Sequence, residues 1–224
     1  AEIYEILRSG VTGKENESLT SLTHLRMFCT HPWLVKKLTD GRTASECSIK
    51  LQRLKEIMEE IIEGNGKVLI FTSFQESADI IAQEISTAYG IFVKIIDGRV
   101  LVDDRQGIID QFSALENSGA LILNPKAAGT GLNITAANHV IHYNLEWNPA
   151  VEDQASARAH RRGQDKIVTI HRLYYVNTVE DVINDRIQFK RTISSKAIVG
   201  ETGTDTDTRD IIRAIKISPA KGAE

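Results

Sequence analysis

Between Ala120 and Gln164 lie residues whose types and spacing suit chemistry on an anion. After Trp147-Asn148-Pro149, a short helix is expected to carry Gln154, Arg158, Arg161 and Arg162. Residues three and four apart share a helix face, so Arg158 should present its guanidinium beside both later arginines. Cations gathered in this way repel one another. The nearest acids, Asp153 and Asp165, flank the cluster instead of interleaving with it. That is not the pattern of a solvated face laced with ion pairs. An anion with several charges, such as a polyphosphate, would justify the cluster. Upstream, Gly129 and Gly131 follow an apolar run and would let backbone approach such a ligand closely.

The elements that must position these residues can be read from the apolar runs. Ala120–Leu123 and Val140–Tyr143 read as buried strands of a parallel sheet. Ser48 starts a helix whose Leu51, Leu54, Met58, Ile61 and Ile62 keep helical spacing, and Gly64-Asn65-Gly66 stops it. KVLIFTSF follows as a strand ending at Thr72-Ser73. Then come an amphipathic helix through Ala78, Ile81, Ile85 and Ala88, the strand IFVKII, the turn Asp97-Gly98 and a helix from Asp103 to Phe112. This alternation predicts an α/β fold with a doubly wound parallel sheet. In such sheets ligands bind outside the carboxyl ends of the strands. Thr72-Ser73, Asp97-Gly98, Lys126 to Asn133 and Asn144 to Pro149 should therefore gather on one edge.

Three spans follow: helical segment and loop over 1–47, the α/β domain over 48–177, and a bracing helix with tail over 178–224. In the first, Gly10, Gly13 and Asn16 suggest a loop, a helix capped by Ser18 ends before His31-Pro32, and residues 39–47 form a polar loop. In the second, IVTIHRLYYV is the longest β-like stretch. In the third, Thr178-Val179-Glu180-Asp181 reads as a capping box, Glu201–Asp210 as a linker, and Ile211–Ile217 as one or two helical turns.

Composition bounds the rest. The chain has 224 residues, 42% of them hydrophobic and 25% charged, with a formal net charge of −3. Any nucleic-acid contact must come from a local patch. Cys29 and Cys47 lack metal-ligand spacing and read as reduced thiols. His139 and His142, three apart on a strand, point to opposite faces and cannot share a metal. No apolar run approaches membrane-spanning length.

The motifs GTGLNIT, NLEWNP and QASARAHRRGQ resemble, in order and separation, motifs V, Va and VI of the Swi/Snf-related DNA translocases, within the superfamily-two helicases. KVLIFTSF resembles motif IV, Arg105 and Phe112 fall on the DG…R…F pattern, and LRMFCTHP and the TVE helix resemble further family segments. The resemblance covers residues 22–196. It implies the second, C-terminal RecA-like lobe of a two-lobed motor, with helical extensions at both ends. It also implies ATP and Mg held mainly by a first lobe of the same polypeptide, with Arg158 and Arg161 as arginine fingers and Gly129, Gly131 and Gln154 on the nucleotide side. Double-stranded DNA would meet Thr72, Ser73, Lys126 and Trp147, by charge on phosphate and by a flat apolar face. A DNA-bound protein target and a cytoplasmic or nuclear location would follow. Within these residues there is no GxxxxGK[ST] loop and no DEAH-like run, since Gly64-Asn65-Gly66-Lys67 continues with Val68. Pro125, Ala128, Asn144 and Arg162 depart from the usual pattern. Two other classes remain open, a lobe of an RNA or single-strand helicase and a non-catalytic docking lobe. The intact Arg158, Arg161 and Gln154 argue against the latter.

Overall fold

Five short apolar runs pair into one all-parallel sheet in the order β2-β3-β1-β4-β5. The strands are β1 (Lys67–Phe71), β2 (Phe92–Ile96), β3 (Gly119–Leu123), β4 (His139–His142) and β5 (Thr169–Arg172). The helices are α1 (Glu2–Ser9), α2 (Glu15–Thr30), α3 (Ala44–Cys47), α4 (Ile49–Glu63), α5 (Gln75–Tyr89), α6 (Val102–Ala114), α7 (Pro149–Ser156), α8 (Val179–Ser195) and α9 (Thr204–Lys216). This computed structural model describes residues 2–9, 15–35, 41–126, 132–195 and 204–219.

The chain divides into two compact units. One comprises Leu38–Asn144 and Ala150–Leu173 and contains the sheet; the other comprises Ala1–Lys37, Leu145–Pro149 and Tyr174–Glu224. Each unit is thus assembled from segments distant in sequence, whereas the spans 1–47, 48–177 and 178–224 are contiguous.

In the sheet unit, successive side chains alternate between faces. Leu69, Phe71, Leu121, Leu123 and Val140 form one core with Ile109 and Phe112 of α6 and with Ala155 of α7. The connection from β1 to β2 runs outward across β3, and the connection from β2 to β3 returns. Right-handed crossovers in opposite directions place α5 and α6 on opposite faces. The second face is equally dry: Val68, Ile70, Ala120 and Ile122 are fully buried. Close packing leaves no slack at Gly66, where an added Cβ would come within 2.9 Å of His139 Cδ2. His139 stacks on His171 on that face, while His142 reaches Ser156 of α7 on the other. Burial lowers the pKa of both His139 and His171.

In the other unit, Tyr4, Leu22, Leu25, Val182 and Ile183 share a core with Leu145 and Ala214. The Tyr4 hydroxyl accepts a hydrogen bond from the Val179 backbone N–H at 2.9 Å.

Four expectations about local structure are corrected. Residues 1–17 hold α1 and the start of α2, so Ser18 lies inside a helix, not at its cap. The polar stretch 39–47 includes α3, which Thr43 and Glu46 close with a reciprocal capping box. The compositional linker Glu201–Asp210 overlaps α9, which begins at Thr204. Ala214 in its last turn is buried, and Asp210 and Arg213 pair with Arg186 and Asp185 of α8. Of IVTIHRLYYV only Thr169–Arg172 is strand, because β4 offers a partner no longer than His139–His142.

Candidate functional site at the carboxyl edge of the sheet

The exits of β1, β3 and β4 are tied together by two asparagines. Thr72 is buried, and its hydroxyl lies 2.6 Å from Asn144 Oδ1 and 3.0 Å from Ser77 Oγ. Asn144 Oδ1 also accepts the Ser73 backbone N–H at 3.3 Å. From the other side, Asn124 Nδ2 donates to the Ser73 carbonyl at 3.1 Å, and Asn124 Oδ1 accepts from the Lys126 N–H at 2.9 Å. Side chains of this type satisfy backbone groups where the sheet ladder ends. An acidic residue at 144 would make the same contacts but add a buried charge; the amide oxygen accepts without one. The result holds Ser73 half-buried and leaves Lys126 exposed. The first turn of α5, just after Ser73, has no side-chain cap.

The β2 exit is built differently. The Arg99 guanidinium grips Asp97 at 2.7 Å and Asp79 at 2.8 Å, while Arg105 donates to the carbonyls of Asp97 and Val100. Burial works against the Asp97 carboxylate, yet hydrogen bonds from Arg99 outweigh it and hold its pKa below the ordinary value.

The arginines lie past a helix, not on it. α7 ends at Ser156, and Ala157 to Gly163 form turns and bends. The expected helix through Arg162 is corrected here, for two reasons. The N–H groups of Arg158 and Ala159 bond three residues back, to Ala155 and Ser156, tightening the chain. The Arg158 carbonyl then goes to the Ile134 N–H at 3.1 Å, which removes it from any helical ladder. Gly163, at φ 95°, turns the chain where a side chain would be strained.

Two buried contacts one helical turn apart fasten α7 to the sheet. Glu152, wholly buried, pairs with Arg172 of β5 at 3.1 Å. Ser156 Oγ lies 2.8 Å from Nε2 of His142, whose ring stacks on Phe71. Beyond the helix, Arg158 is 6% exposed, and one terminal nitrogen donates to the Leu132 carbonyl at 3.0 Å. Its Nε is buried without a partner. Burial first, and then the nearby Arg161, lower the Arg158 pKa. Among the described residues no carboxylate pairs with Arg158 or Arg161, and Arg161, Arg162 and Gln154 are exposed. Gln164 Nε2 donates toward the carbonyls of Thr135, Ala137 and Ala159 at 2.9, 2.7 and 3.2 Å.

The unit that contains the sheet therefore carries Thr72, Ser73, Lys126, Gln154, Arg158 and Arg161, with the first three on one hydrogen-bonded edge. Gly129 and Gly131 lie outside the described residues. Trp147 belongs to the helical unit, where the Arg186 guanidinium covers its ring at 4.8 Å and is itself paired with Asp210. Sequence reasoning passed over Asn124, Glu152, Arg172 and Gln164. Glu152 carried a signal, since it shares a helix face with Ala155 and Ser156 and so points inward. The reach of Gln164 to distant carbonyls carried none. Among the described residues no group of three or more His, Cys, Asp or Glu could hold a metal ion, and no helix is long and apolar enough to cross a membrane.

A parallel five-stranded sheet with its polar residues at the carboxyl edge and an arginine turn beyond α7 is the C-terminal RecA-like lobe of a superfamily-two helicase. Residues 49–163 match the helicase conserved C-terminal domain, and the chain belongs to that family, in its Swi/Snf-related branch. It is 34% identical over 213 residues to the putative ATP-dependent helicase/translocase YwqA of Bacillus subtilis, covering 94% of this chain and 23% of that one. Among solved structures it resembles the Sulfolobus solfataricus SWI2/SNF2 ATPase core in complex with dsDNA, with TM-score 0.72, 31% identity, and 97% of this chain and 46% of that one covered. The Sulfolobus solfataricus SWI2/SNF2 ATPase C-terminal domain alone gives TM-score 0.72 at 28% identity, covering 97% and 92%. The chain thus spans less than a quarter of this Bacillus subtilis relative.

Proposed function

We propose that this chain is the second motor lobe of an ATP-driven translocase on double-stranded DNA. ATP and Mg would be held mainly by a first lobe of the same polypeptide, and hydrolysis would require the two lobes together. Arg158 and Arg161 neutralise charge that develops on the γ-phosphate, an effect worth about three to five decades in rate in related chemistry. The observation that carries this reading is the state of Arg158. A buried guanidinium with an unpartnered Nε, a like-charged neighbour and, among the described residues, no carboxylate is electrostatically incomplete, and a phosphate group supplies what it lacks. Gln154, exposed on α7, contributes to the nucleotide side, and the family resemblance assigns Gly129 and Gly131 to it as well.

Duplex DNA lies along the strand-exit edge. Lys126 and Ser73 contact phosphate directly and Thr72 acts through the backbone it holds; Trp147, in the other unit, is a separate candidate contact. The Sulfolobus relative, solved with dsDNA, favours a duplex. RNA serves as the control ligand.

The experiment is Arg158→Ala and Arg161→Ala in the complete polypeptide, with kcat, nucleotide Kd and DNA Kd measured separately. Ground-state ATP is held by the other lobe, so both affinities should stay within a few-fold while DNA-stimulated kcat falls by at least two decades. Lysine should rescue poorly, because a point charge cannot reproduce the planar fork. An unchanged kcat with weakened DNA binding would make the cluster a backbone-binding patch instead.

A further inference from the structure

We propose that Gln164 is a positioning residue that locks the arginine turn to the segment 132–137. The proposal rests on the reading of Arg158 and Arg161 given above and deepens it. Segment 132–137 follows the glycine-containing loop in sequence and leads into β4. Three links join it to the turn: Arg158 to the Leu132 carbonyl, the Ile134 N–H to the Arg158 carbonyl, and the Gln164 carboxamide to the Thr135 and Ala137 carbonyls.

The links are not equivalent. Arg158 is the group that an anion recruits, and recruitment draws its guanidinium from the Leu132 carbonyl. Gln164 makes no such move. Its Nε2 is the shared donor for carbonyls of both segments, Ala159 included, and its Oε1 accepts the Lys166 N–H at 2.9 Å. This fixes the amide orientation, since the flipped form would set an oxygen against three carbonyl oxygens. With Gln164 in place, the turn keeps its register while Arg158 is released.

The test uses the complete polypeptide with ATP and a duplex oligonucleotide, comparing Gln164→Glu, Gln164→Met and Arg161→Ala. Glu is isosteric but turns a donor into a charged acceptor facing three carbonyls; Met keeps the length and removes the donor without adding charge. The expected result is a tenfold or greater loss of DNA-stimulated kcat in Gln164→Glu and a several-fold loss in Gln164→Met. The Kd for a non-hydrolysable ATP analogue and for duplex should stay within twofold, and stimulation by DNA over the basal rate should fall toward one. If Gln164→Glu does not fold, Gln164→Met decides. Wild-type stimulation in the Gln164 variants, with Arg161→Ala inactive, overturns this proposal and leaves the arginine reading standing. Normal turnover in Arg161→Ala overturns both. Parallel losses of melting temperature and of both affinities reduce Gln164 to a structural residue and overturn the positioning role.

Discussion

At the scale of single residues, the edge of the sheet separates groups that hold from groups that are held. Thr72 is buried with its hydroxyl committed to Asn144 and Ser77, whereas Ser73 and Lys126 are presented. Thr72→Val keeps the shape but leaves Asn144 Oδ1 short of a donor in a buried place. The expected cost is about 1–2 kcal/mol, read as a lower urea midpoint with an unchanged slope. Ser73→Ala should leave that midpoint near wild type and weaken duplex binding instead. If Thr72→Val proves neutral to stability and selective for DNA, the division of labour is the reverse. The order of the two residues at the end of an apolar run was legible in the sequence. Which hydroxyl faces inward was not, because that depends on Asn144 arriving from a strand far along the chain.

At the scale of elements, α7 acts as a mount for the arginine turn. Besides Ala155 in the core, two polar contacts hold it to the sheet, Glu152 with Arg172 and Ser156 with His142. Removing one partner of a buried ion pair strands the other, so Glu152→Leu should cost about 3 kcal/mol. Because both charges carry a desolvation cost, Glu152→Leu with Arg172→Met should recover most of that loss. Chemical denaturation of the four members of the cycle measures this, and a double variant no more stable than Glu152→Leu alone would refute it. The packing of Gly119 shows the same economy, since an added Cβ would lie 2.6 Å from Leu115 Cδ1. These elements were visible as apolar periods, but their ends were not. α7 stops early because the Arg158 carbonyl has a better partner in Ile134, and α9 starts early because Ala214 has a core to enter.

At the scale of the whole molecule, the chain carries the arginines proposed above to meet a triphosphate, but its sequence contains no GxxxxGK[ST] loop. Alone it should fold and turn over no ATP, and hydrolysis by a preparation free of contaminating ATPases would refute the half-motor reading. With a net charge of −3, any DNA contact must come from a local patch, most of it proposed above to lie at the strand-exit edge. Duplex binding by the chain alone should be weak and fall with salt along a shallow log–log slope, and Lys126→Ala should flatten it further. Tight binding that survives raised salt would place DNA on another surface. The sequence by itself determined the sheet, its parallel sense and the family, because buried strands and turn residues are local patterns and the motifs are contiguous. Only the tertiary structure decided that Arg158 is buried against Leu132, that Trp147 lies under Arg186, and that Gln164 spans three carbonyls. Each of these is a contact between segments far apart in the chain. Such contacts depend on how the packed elements bring the chain together, which no spacing of neighbouring residues encodes.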